Sequence, residues 1–382
     1  MPGDALPTTA TGRRTMNQPS VLIAGAGPTG LAAALLLARR GIHARIVDAA
    51  GAPAPHSRAL VVNPRTLDLL AGTGVTERMV DEGRDVRGVR FHENGKELTH
   101  LEAGHLHPRY GLTVLSQERS EALLTAALAD LGIQVERGVQ AALVSQDAGG
   151  ADVQLGGGEA ARFDAVYAAD GAHSAFRKAL GIDFPGSAFP EEWPLFDVPM
   201  DTPLDLDHAH ILFFPDGMAF ALALDRLVWR IIASVPDPLS RLPEGTTHGE
   251  PVWSSRFRIA HRVAPRCALG RVALGGDAAH IHSPIGARGM NLGIEDAATF
   301  AMRLAGSQGA TAVALDAYHR ERHPVHRSVV RRIRAITTMA RGHNAALRMA
   351  RHALLPAVAH VDGMRTMMLR TVAGLDHPPP AE

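Results

Sequence analysis

Residue types able to do chemistry concentrate between Arg271 and Ala298, above all in GGDAAHIHSPIGARGMN, residues 275–291. Asp277 follows Gly275 and Gly276, His280 and His282 follow at a spacing of two, and Pro284, Gly286, Gly289, Met290 and Asn291 lead into a helix starting near Arg288. Glycine lets main chain approach a bulky ligand closely. The unpaired N–H groups and positive dipole end of the helix suit an anion or a developing negative charge. Either histidine could assist deprotonation of a substrate, since free imidazole titrates near pH ~6.5; the alternative for this H-x-H pair is a structural hydrogen bond.

Two further stretches have the character of ligand turns. GAGPTG places Gly25, Gly27 and Gly30 between an apolar run and an Ala/Leu-rich helix, and Asp48 ends the next apolar run. Strand, glycine turn, helix, strand and acid in this order predict a bound adenine dinucleotide, with the acid on a ribose hydroxyl. The motif alone does not choose between FAD and NAD(P). The second turn, DGAHSAFR, follows an apolar run with Asp170 and Gly171, then Ser174 as a helix cap and Arg177 one turn in. Arg58 could neutralise a pyrophosphate or be an ordinary surface arginine, and Gln117, at a helix start, could contact a ligand in the same crevice or be a solvated first-turn residue. His319, His323 and His326 approach metal-ligand spacing, but Pro324 interrupts the face and no acidic partner is evident. No metal is therefore expected. A GxSxG elbow and a Walker loop are both missing, which removes hydrolase and nucleotide-triphosphatase readings.

The elements needed to hold these residues are legible. Residues 20–48 read as strand, helix and strand; Val86–His92 and Glu97–Leu101 as a hairpin turning at Asn94-Gly95; residues 133–170 as a β-meander. From 184 to 262 helical periodicity disappears and proline becomes frequent, which predicts an inserted antiparallel layer. Phe213, Phe214, Phe220 and Trp229 within it are candidates to line an apolar substrate pocket. The division expected is a disordered leader over 1–19, a Rossmann-like α/β dinucleotide domain over 20–183 resumed at 263–310, a substrate layer over 184–262, and helices over 311–382. Charges of the helical end fall between apolar positions and read as a solvated face.

Composition narrows the function. Lys+Arg and Asp+Glu are both 39, so no basic field exists to attract nucleic acid. The single cysteine, Cys267, excludes an internal disulfide and a CxxC site and suits a reducing compartment. No run reaches the ~18 apolar residues of a membrane span. A cytoplasmic protein is expected.

GAGPTG with Asp48, DGAHSAFR and the Gly-Asp stretch together resemble the single-component flavoprotein aromatic hydroxylases, the para-hydroxybenzoate hydroxylase family that includes phenol and polyketide hydroxylases. The resemblance runs from about Val21 to at least Tyr318. It implies non-covalent FAD, with Gly25, Gly27, Gly30 and Asp48 on its ADP half, Gly276 and Asp277 on the ribityl chain, and Arg58 and Gln117 as further contacts. It associates Asp170 and Arg177 with both FAD and NAD(P)H. Main-chain N–H groups of Gly289, Met290 and Asn291 would face the flavin, and Pro284 would bring a carbonyl near the flavin edge. NADH or NADPH would bind transiently and reduce the flavin. Oxygen would then add to give a C4a-hydroperoxyflavin that hydroxylates a phenolic or polyketide-like aromatic ring, in a monomer or homodimer. Asp48 departs from the commoner Glu. Epoxidation, Baeyer-Villiger insertion, antibiotic inactivation and FAD binding without turnover are alternatives on the same motifs.

Overall fold

The computed structural model describes residues 19–380 apart from 58 and 105; all but the last residue of the leader expected over 1–19, and Arg58, thus lie outside the described residues. The first apolar runs form parallel strands because they are buried on both faces. Val21–Ala24 lies between Arg45–Asp48 and Ala165–Ala168, and Val272–Leu274 pairs with the latter. Val135–Arg137 extends one edge in parallel, and Ala268–Leu269 closes the other antiparallel. Helices Pro28–Ala38 and Gly289–Ala305 pack on this sheet, joining it in one apolar core. The chain therefore leaves this layer after Ala168 and returns at Ala268 with its central strand positions already taken.

The excursion builds a larger sheet ordered His280–Ile281, Trp253–Val263, Gly186–Asp201, Val228–Ala233, Gly217–Ala223, His208–Phe214, Gly88–Glu93 and Lys96–Glu102. Two of its strands form the hairpin expected at Asn94-Gly95, where both residues have positive φ, 53° and 76°. Two features depart from an antiparallel layer confined to 184–262. The hairpin enters from much earlier in the chain, and His208–Phe214 pairs with Gly88–Glu93 in parallel. The rest of the large sheet is antiparallel, and alternation along its strands divides the side chains between two apolar clusters, one per face.

The helical end forms as expected over Thr311–Arg341, Ala345–His360 and Asp362–Ala373. Its charges are not all solvated: Arg322, His326 and Arg351 are fully buried, each against a carboxylate, a side chain or main-chain carbonyls. No described helix is long and apolar enough to cross a membrane.

Candidate functional site

A cleft of about 710 Å3 lies between the two sheets and runs from Gly27, Pro28 and Thr29, past Gln117, Gly171 and Asp277, to Pro284, Gly289 and Met290. Its far wall is the large sheet, which contributes Phe220, Leu222, Ile232, Phe257 and Ile259. Arg256 and Arg258 border it from the same sheet, so the cleft joins main chain of the glycine turns to apolar and some basic side chains, a lining that suits a ligand with a charged tail and a flat, reactive head.

The three glycines of the first turn divide the work. A Cβ on Gly25 would lie 2.2 Å from the Ala169 carbonyl oxygen, and one on Gly30 would lie 1.9 Å from that of Gly25, so both positions are closed by main-chain packing. A Cβ on Gly27 meets nothing within 4 Å; that position opens on the cleft. The helix beginning at Pro28 has no side-chain cap, and neither does the one beginning at Gly289. Two helix starts thus border the cleft with N–H groups no side chain satisfies, which suits a diphosphate at one and an electron-rich ring at the other. These observations fit FAD.

Asp48 faces its own turn. Its Oδ2 accepts the Ala26 N–H at 2.6 Å and its Oδ1 the Ala50 N–H at 2.8 Å. Gln117 lines the cleft, its amide donating to Glu121. Asp170 accepts from the Ala175 and Phe176 amides, joining Ser174 in capping the helix Ala175–Ala179. Arg177 is buried and donates to the carbonyls of Ala278 and Ala172, tying the second turn to the third. Neither Asp170 nor Arg177 borders the cleft, whereas Gly171, Ala172 and His173 do.

In the third turn, Asp277, Pro284, Gly289 and Met290 line the cleft, while Asn291 points away. Its buried side chain donates to the Val61 and Ala287 carbonyls and accepts the Asn63 N–H, locking the loop to a neighbouring strand. His282 lines the cleft; burial and the charges around it lower its pKa to about 3, so it stays neutral. His280, the other candidate for deprotonating a substrate, is buried outside the cleft with Nε2 2.7 Å from Asp296, the structural hydrogen bond weighed as its alternative.

Asp296 also bonds Arg322 and His326. His280, Asp296 and His326 have metal-like proximity, but Arg322 Nε, 2.7 Å from Oδ1, supplies the balancing positive charge. His326 turns to this carboxylate, whereas His319 and His323 neighbour each other, so the histidine triplet does not converge.

Of the four aromatic candidates, only Phe220 borders the cleft. Trp229 packs on the opposite face of the sheet with Leu212, Ala221 and Ile231, and Phe214 leans on that same cluster. Phe213 shares the face of Phe220 but is buried beneath Arg351, 3.9 Å from its ring, toward the C-terminal helices. Leu222, Ile232, Phe257 and Ile259 were not singled out; the parity they share with Phe220 across paired strands is the signal that finds them.

The family described as FAD binding domain matches residues 18–221 and 239–333. The chain is 33% identical over 352 residues to 6-methylpretetramide 4-monooxygenase of Streptomyces rimosus, covering 86% of this chain and 63% of that protein. It is 31% identical over 355 residues to pentachlorophenol 4-monooxygenase of Sphingobium chlorophenolicum, covering 86% and 66%. It thus spans just under two thirds of the length of these relatives. The crystal structure of p-nitrophenol 4-monooxygenase PnpA from Pseudomonas putida DLL-E4 superposes with a TM-score of 0.82 over 94% of this chain and 98% of that one, at 21% identity, a likeness of fold.

Proposed function

Because the chain belongs to the FAD binding domain family, which matches it over most of its length, we propose that it is an FAD- and NAD(P)H-dependent monooxygenase that hydroxylates a phenolic or polyketide-like aromatic compound. In the overall reaction one aromatic C–H becomes C–OH and NAD(P)H becomes NAD(P)+. One oxygen atom of O2 enters the product and the other leaves as water, with one proton consumed. The carrying observation is that one cleft is bordered both by two uncapped helix starts and by apolar side chains of the large sheet.

Bound FAD supplies the redox chemistry and oxygen activation. Residues of this chain bind, orient and exclude water. The Gly27 turn and the N–H groups that follow it would hold the diphosphate, and Asp277 the polyol. The helix start at Gly289 and Met290 would favour negative charge on the reduced ring. Phe220, Leu222, Ile232, Phe257 and Ile259 would keep the reacting face dry and stack against an aromatic substrate. Neutral His282 beside Pro284 would offer a polar contact without adding charge. Arg177, by holding Ala172 and Ala278, would set the spacing of the two turns. A cytoplasmic location, where NAD(P)H is available, suits this chemistry.

The test is a screen of phenols and polycyclic aromatics for compounds that accelerate NAD(P)H oxidation by purified protein, followed by product mass analysis under 18O2. One labelled oxygen in the product is expected. Protein that shows no flavin spectrum and takes up no added FAD ends this reading. FAD binding without NAD(P)H oxidation under any bound aromatic ligand favours a non-catalytic flavoprotein.

A further inference from the structure

Asp296 is completely buried, lies on the helix Gly289–Ala305, and is no part of the cleft wall. Its Oδ2 accepts the Gly276 N–H at 3.1 Å and receives His280 Nε2 at 2.7 Å. Those two residues bracket Asp277, one before it and three after. Its Oδ1 is held by Arg322 Nε at 2.7 Å and His326 Nε2 at 2.6 Å, from the helix Thr311–Arg341. One carboxylate oxygen therefore grips both ends of the turn that presents Asp277, and the other fixes the carboxylate to a second helix.

Packing on the same helix points the same way. Gly293, three residues before Asp296, lies against the turn: a Cβ there would come within 3.3 Å of the Gly276 Cα and 2.2 Å of Thr29 Oγ1. A Cβ on Gly276, whose φ is +58°, would itself lie 2.6 Å from that hydroxyl. Thr29, Gly276 and Gly293 interlock closely, so the turn is pinned by shape as well as by hydrogen bonds. Charge on Asp296 is secured by its partners, which hold it well below the usual carboxylate range against the cost of burial.

We propose that Asp296, with His280 as its second arm, is the positioning residue that sets Asp277 against the cofactor's polyol chain, and that His280 serves as a fixed N–H donor in this anchor. The inference rests on Asp277 being the polyol ligand. Asp296 touches neither substrate nor cofactor and acts through the Gly276–His280 turn alone.

A double-mutant cycle on FAD affinity tests it, read by flavin fluorescence on protein stripped of and reloaded with FAD. Asp277→Asn is expected to weaken FAD about tenfold or more, the scale of a lost charged hydrogen bond. Asp296→Asn is expected to weaken it by a similar factor, and the double variant no further than the worse single. If Asp277→Asn leaves affinity unchanged, the polyol reading falls and takes the proposal with it. If Asp277→Asn weakens binding but the two losses multiply, Asp277 stands and the anchor is overturned. Because Asp296→Asn removes one of the two carboxylates that balance the buried Arg322 charge, a second pair covers a failure to fold: His280→Gln, which keeps an N–H donor, against His280→Leu, which removes it. The anchor requires His280→Gln to retain most of the FAD affinity and His280→Leu to lose about tenfold. Equal affinities for the two overturn it.

Discussion

Arg230 grips Asp197 across adjacent strands of the large sheet with two hydrogen bonds of 2.7 Å, and its third nitrogen reaches the Ser57 carbonyl at 2.6 Å. Both side chains are nearly excluded from solvent. Removing one partner strands a buried charge, so Arg230→Met is expected to lower stability by about 3–5 kcal/mol. Arg230→Met with Asp197→Leu should recover most of that loss, since an apolar pair of similar volume carries no desolvation penalty. Urea unfolding of the two variants checks both statements.

Gly293→Ala is expected to disturb two helices at once, because the added methyl meets Thr29 Oγ1 and the Gly276 backbone. Overpacking of this kind costs about 1–3 kcal/mol. The thermal midpoint and the FAD dissociation constant should both worsen. Adding Thr29→Ala, which removes the nearer of the two contacts, should restore part of each.

Phe220 and Trp229 separate binding from stability. Phe220 borders the cleft and is only half-buried, so on the proposed function Phe220→Ala should raise the KM for an aromatic substrate by roughly tenfold, from about 1–2 kcal/mol of lost apolar contact. Trp229→Ala, in the closed cluster on the other face, should instead cost about 3–5 kcal/mol of unfolding free energy. Steady-state kinetics and denaturant titration of both variants give the two patterns.

Acid should weaken the fold well above the range in which carboxylates titrate. Burial lowers the pKa of His210 and His261 to about 4 and of His326 to about 3. Unfolded histidine takes a proton near pH ~6.5. Below that pH the unfolded chain binds more protons than the folded one, so stability falls with pH until the folded pKa is reached. Each group contributes up to about 1.4 kcal/mol per pH unit in this window. Unfolding free energy at pH 5 should therefore lie below that at pH 7. The depressed Glu295 and Asp296 extend the same trend to lower pH.

Legibility in the sequence followed the range of the interaction. Gly25, Gly27, Gly30 and Asp48 sit within one strand-helix-strand unit, where local periodicity fixes their relation. Trp229 and Phe220 were grouped by residue type, but which face each takes depends on strand register, and the observed pairing puts Ala223 opposite Trp229 and Ile232 opposite Phe220. The hairpin at Asn94-Gly95 announced itself, while its parallel partner 120 residues away had no local mark. Arg322 and His326 carried a helical pattern of charges that normally faces water; only the tertiary meeting with Asp296 reveals them as buried. His280 stood in a recognisable motif, yet its ring turns from the cleft because that carboxylate lies behind the loop.

The strand Val272–Leu274 lies beside Ala165–Ala168, which lies beside Val21–Ala24. On a ribosome these strands emerge far apart in time: at about 5–20 residues per second, the third follows the first by some tens of seconds at the slow end of that range. The hairpin Gly88–Glu102 likewise waits, one edge unpaired, for His208–Phe214. The two sheets thus mature together, late in synthesis. Fragments ending before residue 274 lack a strand of the smaller sheet as well as the glycine turn and helix that complete the cleft, so a prematurely released chain would expose sheet edges to aggregation while unable to gain the stabilisation that FAD gives the finished fold.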